Sequence, residues 1–424
     1  MGSLTGGEVI ASCITAWGHA AVAVVRASGR EVRAAVEPVT GPLPPPRHAR
    51  HVGLRDDEGP FDDGLVTYFP GPRSYTGEDV VEISCHGNPL IVERLLRAIR
   101  ARPAHPGEFT RRAFLNGRLD LTRAEAVMAT IAATSRRGLD LARAGLDGAV
   151  ARQVESLRDA LVDVAAELEA ILDYPGEDLL FDDDAGLCAR MLGVAERAAG
   201  LAASQRAGRV AVEGARVVLA GPVNAGKSSL FNALLGRERA IVSPEPGTTR
   251  DVVEATLQLE GARLVLVDTA GERDESGAIE ARGIAMGRAE QQAADLVLRC
   301  VPPGGSAAAG DQLLVHTFGD IAPREGLSVS SRTGEGLDAL RAAILSRLGV
   351  DELGAGAVIH SARQAECFAR VATHAREATV ALSEAGPAAA VERLYAAVEA
   401  LDATVGGARE DVLDRLFSRF CVGK

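Results

Sequence analysis

Two glycines, a lysine and a serine are closely spaced in the segment "GPVNAGKSS" (221–229). Gly221 and Gly226 carry no Cβ, so backbone N–H groups near them can wrap closely around phosphates. The spacing G-x-x-x-x-G-K-S is that of a P-loop, in which Lys227 would neutralise the β- and γ-phosphates and the Ser228 hydroxyl would bind Mg²⁺. A chance glycine turn is the alternative, but an apolar strand precedes the segment and a helix-forming stretch follows it. The pattern predicts a nucleotide site.

Two later segments offer the parts with which a GTPase senses a γ-phosphate. "PGTTRD" (246–251) contains Thr249, whose hydroxyl can complete the coordination of Mg²⁺. "LVLVDTAG" (264–271) ends a strand on Asp268, which can hold the metal through water, and its Gly271 N–H can sense the γ-phosphate. Each string is common by itself. Their order and spacing after the P-loop predict a GTPase-type switch.

The segment that would bind the base departs from the usual Asn/Thr-Lys-x-Asp pattern. In "TFGD" (317–320), Asp320 is in place to bind the edge of guanine, but Phe318 stands where a lysine normally packs along the base. An aromatic ring can stack on the base instead. The later "SSR" (330–332) fits the loop that supports guanine, whereas "PPGGSAAAGD" (302–311) is too short for the helix expected there. The sequence favours guanine as the base.

The predicted nucleotide contacts come from the P-loop, two switch segments and two later loops. They are Asn224, Ala225, Gly226, Lys227, Ser228, Ser229, Ser243, Thr248, Thr249, Asp268, Thr269, Ala270, Gly271, Asp320, Ser330, Ser331 and Arg332. Ser228 and Thr249 are the predicted Mg²⁺ ligands. GTP and Mg²⁺ are therefore the first ligands that we expect.

Composition limits the class of protein. The 424 residues suffice for two or three domains, and the six cysteines form no C-x-x-C pair, which argues for reduced thiols and against zinc. No long apolar run predicts a membrane span, and the N-terminus lacks the layout of a signal peptide, so we expect a cytoplasmic protein with no membrane partner. The net charge of −12 means that contact with RNA needs a local basic patch or a helper protein.

Four stretches differ in their pattern of apolar residues, which predicts a multidomain protein with α/β and α parts. Residues 1–118 mix short strand-like runs with a helical stretch, and residues 119–213 have the apolar spacing of helices. Strands and helices alternate over 214–350, as in a mostly parallel sheet, and 351–424 is helical again. We expect one helical domain, 119–213 with 351–424, whose chain is interrupted by the inserted α/β domain.

Three segments outside the P-loop domain resemble one family. "FPGPRSYTGEDVVEISCHGNP" (69–89), "HPGEFTRRAFLNGRLDLTRAEAV" (105–127) and the terminal "FSRFCVGK" (417–424) are similar to the MnmE (TrmE) family of tRNA-modification GTPases, within the TrmE-Era-EngA-like group. The resemblance implies an N-terminal folate-binding domain that forms a homodimer, a helical domain and an inserted Ras-like G domain. It also implies a heterotetramer with the flavin-dependent MnmG. The two proteins together would add an aminomethyl or carboxymethylaminomethyl group to C5 of the wobble uridine, position 34, in tRNA.

The resemblance also implies a site for a one-carbon carrier, 5-formyl- or 5,10-methylene-tetrahydrofolate. Its residues would be Arg26, Glu82, Arg118 and Lys424, with Arg118 standing where the family often has lysine. Cations suit the anionic glutamyl tail of folate, and a carboxylate suits the N–H edge of its pterin. Cys421 is a candidate thiol for the modification reaction, and a plain buried cysteine is the competing interpretation.

Hydrolysis in this family would not use the glutamine of Ras-like sites. The position after the switch glycine is Glu272, which we interpret as a solvated switch residue. The resemblance implies that Glu280 positions the attacking water. It also implies a K⁺ ion in place of an arginine finger, with ligands from Asn224, Ser243, Glu245 and Thr248 when two G domains pair.

Two other functions compete with this interpretation. One is a GTPase of ribosome assembly, but no KH-type G-x-x-G loop in a basic setting is present and the folate-like segments would go unexplained. The other is a catalytically weakened scaffold that only senses the nucleotide. Phe318 and the shortened segment 302–311 favour this second alternative modestly.

Overall fold

The computed structural model describes residues 7–174, 182–236, 252–259, 261–269, 289–306, 310–351, 353, 357–406, 410–420 and 422–423. The chain forms two compact units. The first consists of Met1–Ala124 with Ala403–Lys424, and the second of Glu125–Asp402. In the described part of the chain, no helix combines the length and apolar character that a membrane span requires. The predicted domain boundaries at 118, 213 and 350 stay predictions.

The first unit is built on a six-stranded sheet with the order β3-β4-β5-β2-β1-β6. Its strands are β1 (Ile10–Cys13), β2 (Ala20–Ser28), β3 (Ala49–Asp56), β4 (Gly59–Phe69), β5 (Val80–Gly87) and β6 (Arg102–Pro103). Neighbouring strands are antiparallel except β1 and β6. Val25 and Ala27 of β2 and Ile83 of β5 are buried in the core. The central register pairs Arg26 with Glu82, which sets two predicted site residues side by side.

Among its described residues, this unit also has the helices α1 (Val32–Thr40), α2 (Pro89–Ala98), α3 (Glu108–Leu115) and the C-terminal α13 (Glu410–Phe417). Helix α2 starts sharply because the Asn88 side chain accepts a hydrogen bond from the Leu90 N–H and Pro89 occupies the first turn. Its buried residues Val92 and Leu95 are three positions apart and pack on the sheet core.

Helices dominate the second unit before and after its sheet. They are α4 (Leu121–Ala132), α5 (Arg136–Leu146), α6 (Ala149–Asp173), α7 (Asp184–Ala203), α8 (Gln205–Glu213), α11 (Ala362–Ala385) and α12 (Pro387–Val405). In α6, buried Val150, Val154, Leu157 and Leu161 follow a spacing of three and four, so one face of the helix is apolar. The helical pattern predicted from the sequence therefore corresponds to long amphipathic helices.

The sheet of the second unit has the order β11-β10-β7-β9-β8. Its strands are β7 (Ala215–Ala220), β8 (Val252–Leu259), β9 (Ala262–Thr269), β10 (Leu296–Val301) and β11 (Leu313–His316), and helices α9 (Lys227–Leu235) and α10 (Leu337–Leu348) follow in the same region. All neighbours are parallel except β8 and β9. The carboxyl ends of four parallel strands therefore meet at one edge, which is where such sheets bind ligands.

Side-chain hydrogen bonds and ion pairs fix both connections between the helices and the sheet of the second unit. Asp295, just before β10, accepts hydrogen bonds from the Arg216 N–H at 2.8 Å and from the Arg209 guanidinium of α8. Glu125 of α4 is buried and accepts from the Ser361 hydroxyl at 2.8 Å and the Arg363 guanidinium at 2.9 Å. Burying a charge is costly unless it is paired, so these bonds keep both connections in one geometry.

Candidate nucleotide site and N-terminal pocket

The loop between β7 and α9 has the backbone that a phosphate loop requires. Gly221 has a φ of 146°, and a Cβ there would lie only 2.6 Å from the Cys300 carbonyl oxygen, so no other residue fits without movement. Asn224 and Gly226 also have positive φ, at 60° and 81°. The left-handed Gly226 is the N-cap of α9, whose first N–H groups have no partner within the helix. These groups make a ready anion site.

Lys227 is held over this loop by two hydrogen bonds. Its Nζ donates to the carbonyl oxygens of Gly221 and Pro222, both at 2.9 Å, and the residue is only 6% exposed. A buried ammonium is costly without such partners, so the carbonyl groups fix its position beside the loop. Ser228 and Ser229, by contrast, are exposed on the first turn of α9. The P-loop therefore has a fixed cation and accessible hydroxyl groups.

Asp268 lies beside the P-loop because β9 runs parallel to β7. The strand register pairs Asp268 with Leu219. The hydroxyl group of the following residue, Thr269, donates to the Leu219 carbonyl oxygen at 2.8 Å. Within the described part of the chain, the buried Oδ1 of Asp268 has no hydrogen-bond partner. A buried carboxylate oxygen without a partner is costly. The residue thus fits the role of holding a metal-bound water.

The thiol of Cys300 lies below the loop, within electrostatic range of both predicted charges. Burial raises the pKa of Cys300 to about 12, Lys227 lowers it and Asp268 raises it. The thiol is therefore neutral at physiological pH. It serves as a small apolar side chain of β10 under the phosphate loop.

The predicted base-binding segment is tied to the P-loop. The Thr317 hydroxyl donates to the Ala225 carbonyl oxygen at 2.8 Å, and the Gly319 N–H donates to the Val329 carbonyl oxygen at 3.0 Å. Phe318 has a φ of 61°, and a Cβ on Gly226 would lie 3.4 Å from its ring carbons. The aromatic ring therefore packs against the P-loop. The structure brings together two segments that are far apart in the sequence.

Asp320 is fixed by two neighbours in the predicted guanine loop. Arg332 donates to its carboxylate at 2.8 Å, and hydrogen bonds from Ser330 first and Arg332 second lower the pKa of Asp320. The carboxylate is therefore ionised and a pure acceptor, as the N–H edge of guanine requires. Ser331 is half-buried between these two partners in sequence.

Ten residues singled out in the sequence lie outside the described residues. They are Ser243, Glu245, Thr248, Thr249, Ala270, Gly271, Glu272, Glu280, Cys421 and Lys424. The predicted switch, K⁺ and catalytic roles therefore stay predictions.

A second candidate site is a cavity of about 280 Å³ in the first unit. It is lined by Arg47, Phe69, Arg73, Ser74, Tyr75, Val80, Glu82 and Arg118. The predicted folate residues Glu82 and Arg118 therefore share one cavity. The lining combines two aromatic rings with a few charged groups, which is the usual composition of a small-molecule site.

Arg26 contacts two lining residues of this cavity, Glu82 and Tyr75. Its Nε and Nη2 donate to Oε1 of Glu82 at 2.9 and 2.7 Å, and its guanidinium carbon lies 4.9 Å from the centre of the Tyr75 ring. Within the described residues, the buried Nη1 of Arg26 has no hydrogen-bond partner. The unpartnered Nη1 group of Arg26 is a donor, and the neighbouring carboxylate of Glu82 is an acceptor. This combination fits a site that binds a polar heterocycle.

Of the eight residues that line the cavity, the sequence analysis identified only Glu82 and Arg118. Tyr75 and Arg73 lie within the family-specific segment 69–89, but nothing in their spacing marks them as lining residues. Arg47 follows a run of three prolines, a composition typical of loops that by itself does not indicate a binding residue. Its φ of 63° is unusual for a residue with a side chain and is the kind of strain found at functional sites.

The P-loop, the aspartate at the end of the adjacent parallel strand and the aspartate after a later strand define the class, a P-loop GTPase of the Ras-like kind. Residues 9–118 match the family model described as the GTP-binding protein TrmE N-terminus, and residues 121–421 match the MnmE helical domain. The chain belongs to the MnmE family of tRNA modification GTPases. The family, the fold class and the type of enzyme predicted from the sequence are confirmed.

Relatives of known name match nearly the whole chain. The tRNA modification GTPase MnmE of Myxococcus xanthus is 42% identical over 446 residues, which cover 98% of both chains. That of a Methylobacterium species is 44% identical over 440 residues, covering 98% of this chain and 100% of the relative. Among solved structures, the G domain of the T. maritima FeoB iron transporter is 28% identical over 31% of this chain and 98% of that chain. The TM-score of this match is 0.26.

Proposed function

We propose that this chain hydrolyses GTP as one component of a cytoplasmic tRNA-modifying complex. Together with MnmG, it would add an aminomethyl or carboxymethylaminomethyl group to C5 of uridine 34. The observation that carries the nucleotide part is the meeting of Lys227, Asp268 and the Thr317 loop at one sheet edge. Family membership supports the tRNA part.

Each described residue of the nucleotide site has a separate task. Lys227 offsets the negative charge of the β- and γ-phosphates, and the N–H groups at the start of α9 bind their oxygen atoms. Ser228 and Asp268 would hold Mg²⁺, directly and through water, with Thr249. The metal, when bound, neutralises charge that develops on the phosphates. A water oxygen attacks the γ-phosphorus, the bond to the β–γ bridging oxygen breaks, and GDP leaves with phosphate.

We assign the water-positioning role to Glu280 and a K⁺ site to Asn224, Ser243, Glu245 and Thr248. Asn224 alone lies among the described residues, exposed and in the left-handed conformation, so its side chain is free to reach outward from the loop. A K⁺ ion at the phosphates would supply the positive charge that an arginine finger supplies in other GTPases. These roles depend on the resemblance to the family.

Guanine would be bound by Asp320, with Phe318 stacked on the base. The ionised carboxylate accepts from the N1–H and the amino group of guanine, which adenine cannot reproduce. The Phe318 ring packs on the P-loop at Gly226, next to the region where the nucleotide enters. Stacking is tolerant of base type, so we expect the preference for guanine to come from Asp320.

The N-terminal cavity would bind a reduced folate that supplies the one-carbon unit. Glu82 would bind the N–H edge of the pterin, since Arg26 already fixes its Oε1. Arg118 and Lys424 would bind the glutamyl carboxylates. Cys421 is the candidate thiol for the reaction shared with MnmG.

A homodimer of the first unit is supported by exposed apolar side chains. Trp17, Val22, Leu65 and Leu90 are 63%, 53%, 46% and 73% exposed. A contact between two copies of the first unit that covers these side chains would remove apolar surface from water. A dimer would also bring two G domains into one assembly, as the K⁺-dependent reaction requires.

A weakened, nucleotide-sensing scaffold is the second candidate, because Phe318 breaks the usual base-binding pattern. Two measurements separate the candidates. Deletion of the gene followed by mass analysis of wobble nucleosides tests the modification role, and unchanged nucleosides would contradict it. Turnover of GTP by the purified chain, compared with that of Lys227→Ala, tests the enzymatic role. Undiminished GTP affinity in Lys227→Ala would contradict the assigned phosphate site.

A further inference from the structure

The charges that line the N-terminal cavity do not balance. Three exposed arginines, Arg47, Arg73 and Arg118, surround it, and Glu82 is the one acidic side chain among its lining residues. That carboxylate is already paired with Arg26, which is not among the lining residues. In the described part of the chain, none of the three exposed guanidinium groups forms an ion pair. We call Arg47, Arg73 and Arg118 the arginine rim.

Two of the rim side chains are anchored on backbone carbonyl groups. The Arg118 Nε donates to the Ser74 carbonyl oxygen at 3.2 Å, and the Arg47 guanidinium donates to the Arg73 carbonyl oxygen. Arg47 also lies over the Phe69 ring, with 5.6 Å between its guanidinium carbon and the ring centre. Carbonyl and ring contacts orient a guanidinium group without neutralising it. The rim therefore presents positive charge at fixed positions.

We infer that the arginine rim binds the γ-linked polyglutamate chain of a reduced folate, so that the polyglutamylated form is the preferred ligand. This inference rests on the proposed folate function of the cavity. A folate with one glutamate carries two carboxylates, fewer than the guanidinium groups of the rim. Each added γ-linked glutamate contributes one further carboxylate. Arginine suits this task because its planar fork binds carboxylates with two parallel hydrogen bonds.

The division of charge along the cavity agrees with the shape of such a ligand. The half-buried Glu82 offers an acceptor for the pterin end, Phe69 and Tyr75 offer apolar surface for the ring system, and the rim is exposed to solvent. A polyglutamate chain must leave the cavity into solvent. Contact of the rim with tRNA phosphates is the competing outcome.

The experiment compares two ligands on the full-length protein. Titration calorimetry measures the Kd of 5-formyl-tetrahydrofolate with one glutamate and with three, in 50 and 300 mM KCl. We expect the triglutamate to bind about tenfold more tightly at low salt and the ratio to shrink at high salt, because exposed charges are screened. Arg47→Gln and Arg73→Gln should each reduce the ratio by about threefold. Arg50→Gln, which removes a nearby arginine outside the cavity lining, should leave the ratio unchanged.

The outcomes separate this inference from the function on which it rests. Equal affinity for the two ligands overturns the inference and leaves folate binding intact, whereas failure of both to bind overturns the folate function itself. If Arg47→Gln and Arg73→Gln weaken the binding of both ligands by the same factor, the rim contacts only the first glutamate, and the inference is overturned. Weaker binding of tRNA with an unchanged ratio would make the rim an RNA contact and also overturn it. Because the two arginines are replaced in separate variants, a folding defect in one variant does not decide the outcome.

Discussion

The hydroxyl oxygen of Thr317 lies 2.8 Å from the carbonyl oxygen of Ala225, 92 positions earlier in the chain. This buried bond joins the loop that follows β11 to the phosphate loop. The same hydroxyl lies 3.3 Å from the Val301 carbonyl oxygen at the end of β10. One small side chain therefore sets the distance between the site of the phosphates and the site of the base.

We expect Thr317→Val to weaken GTP binding while the fold persists. Valine keeps the shape of threonine but leaves the buried Ala225 carbonyl without its donor, at a cost of about 1–3 kcal/mol. A loss of roughly tenfold in affinity would follow from about 1.4 kcal/mol. Fluorescence titration with a labelled GTP analogue measures it. Thr373→Val, which changes an exposed threonine of α11, is the matched control, and equal Kd values for the two variants would contradict the prediction.

Asp320 should determine the preference for guanine over adenine. Asp320→Asn removes a charged acceptor, so the ratio of GTP to ATP affinity should fall by about tenfold or more. Asp338→Asn, which removes an exposed carboxylate from the first turn of α10, should leave the ratio unchanged. An unaltered ratio in Asp320→Asn would assign base recognition to another residue.

The same carboxyl group gives a pH prediction. Its pKa in the folded protein is lowered from 3.8 by Ser330 and Arg332, so its acceptor role is present above 3.8 and is lost only as pH falls through the lower, folded value. GTP affinity should therefore not decline between pH 7 and 5 through Asp320. Arg332→Ala should move the decline to a higher pH, toward 3.8. Titrations of GTP binding from pH 7 down to the acid decline, with the unaltered protein and with Arg332→Ala, check both statements. A loss of affinity between pH 7 and 5 in the unaltered protein that is caused by Asp320 would contradict the prediction.

The P-loop was predictable because a single stretch of chain carries both its motif and its geometry. Gly221 and Gly226 demand positive φ locally, and the strand before and the helix after follow from local patterns. Asp268 and Asp320 were also predictable, since each follows or ends a strand of a parallel sheet. The bond from Thr317 was not, because it depends on how distant loops pack.

The N-terminal cavity shows the opposite case. Arg26 and Glu82 were found by resemblance to the family, but their pairing depends on the register of β2 and β5, which no local pattern specifies. Arg47 and Arg73 belong to loops that only the folded chain brings to one cavity. One compositional signal was overlooked: of 46 basic residues, Lys227 and Lys424 are the only lysines. Both are predicted ligand contacts.

This scarcity of lysine permits a direct footprint of both sites. We expect an amine-acylating reagent to modify Lys227 slowly, because its Nζ is buried and bonded to two carbonyl groups. GTP should slow it further, and 5-formyl-tetrahydrofolate should slow acylation of Lys424 without affecting Lys227. Peptide mass analysis measures both rates. ATP at the same concentration is the control, and acylation of Lys227 that GTP does not slow would contradict the assigned phosphate site.

Cleavage of the bond to the γ-phosphate needs positive charge at the β–γ bridging oxygen. An arginine finger is worth about 10³ to 10⁵ in rate, or roughly 4 to 7 kcal/mol, and a K⁺ ion at the β–γ bridge would have to supply a comparable term. GTP turnover should therefore rise several-fold when K⁺ replaces Na⁺. Equal rates in the two salts would eliminate the cation.

Glu280→Ala tests the other half of the same mechanism. It should remove most turnover while GTP still binds, because water positioning affects the transition state and not the bound nucleotide. Glu335→Ala, an exposed glutamate in the same unit, is the control. Loss of GTP binding in Glu280→Ala would indicate a structural role instead. Retained stimulation by K⁺ in that variant would separate the two contributions, since the cation and the carboxylate act on different oxygen atoms.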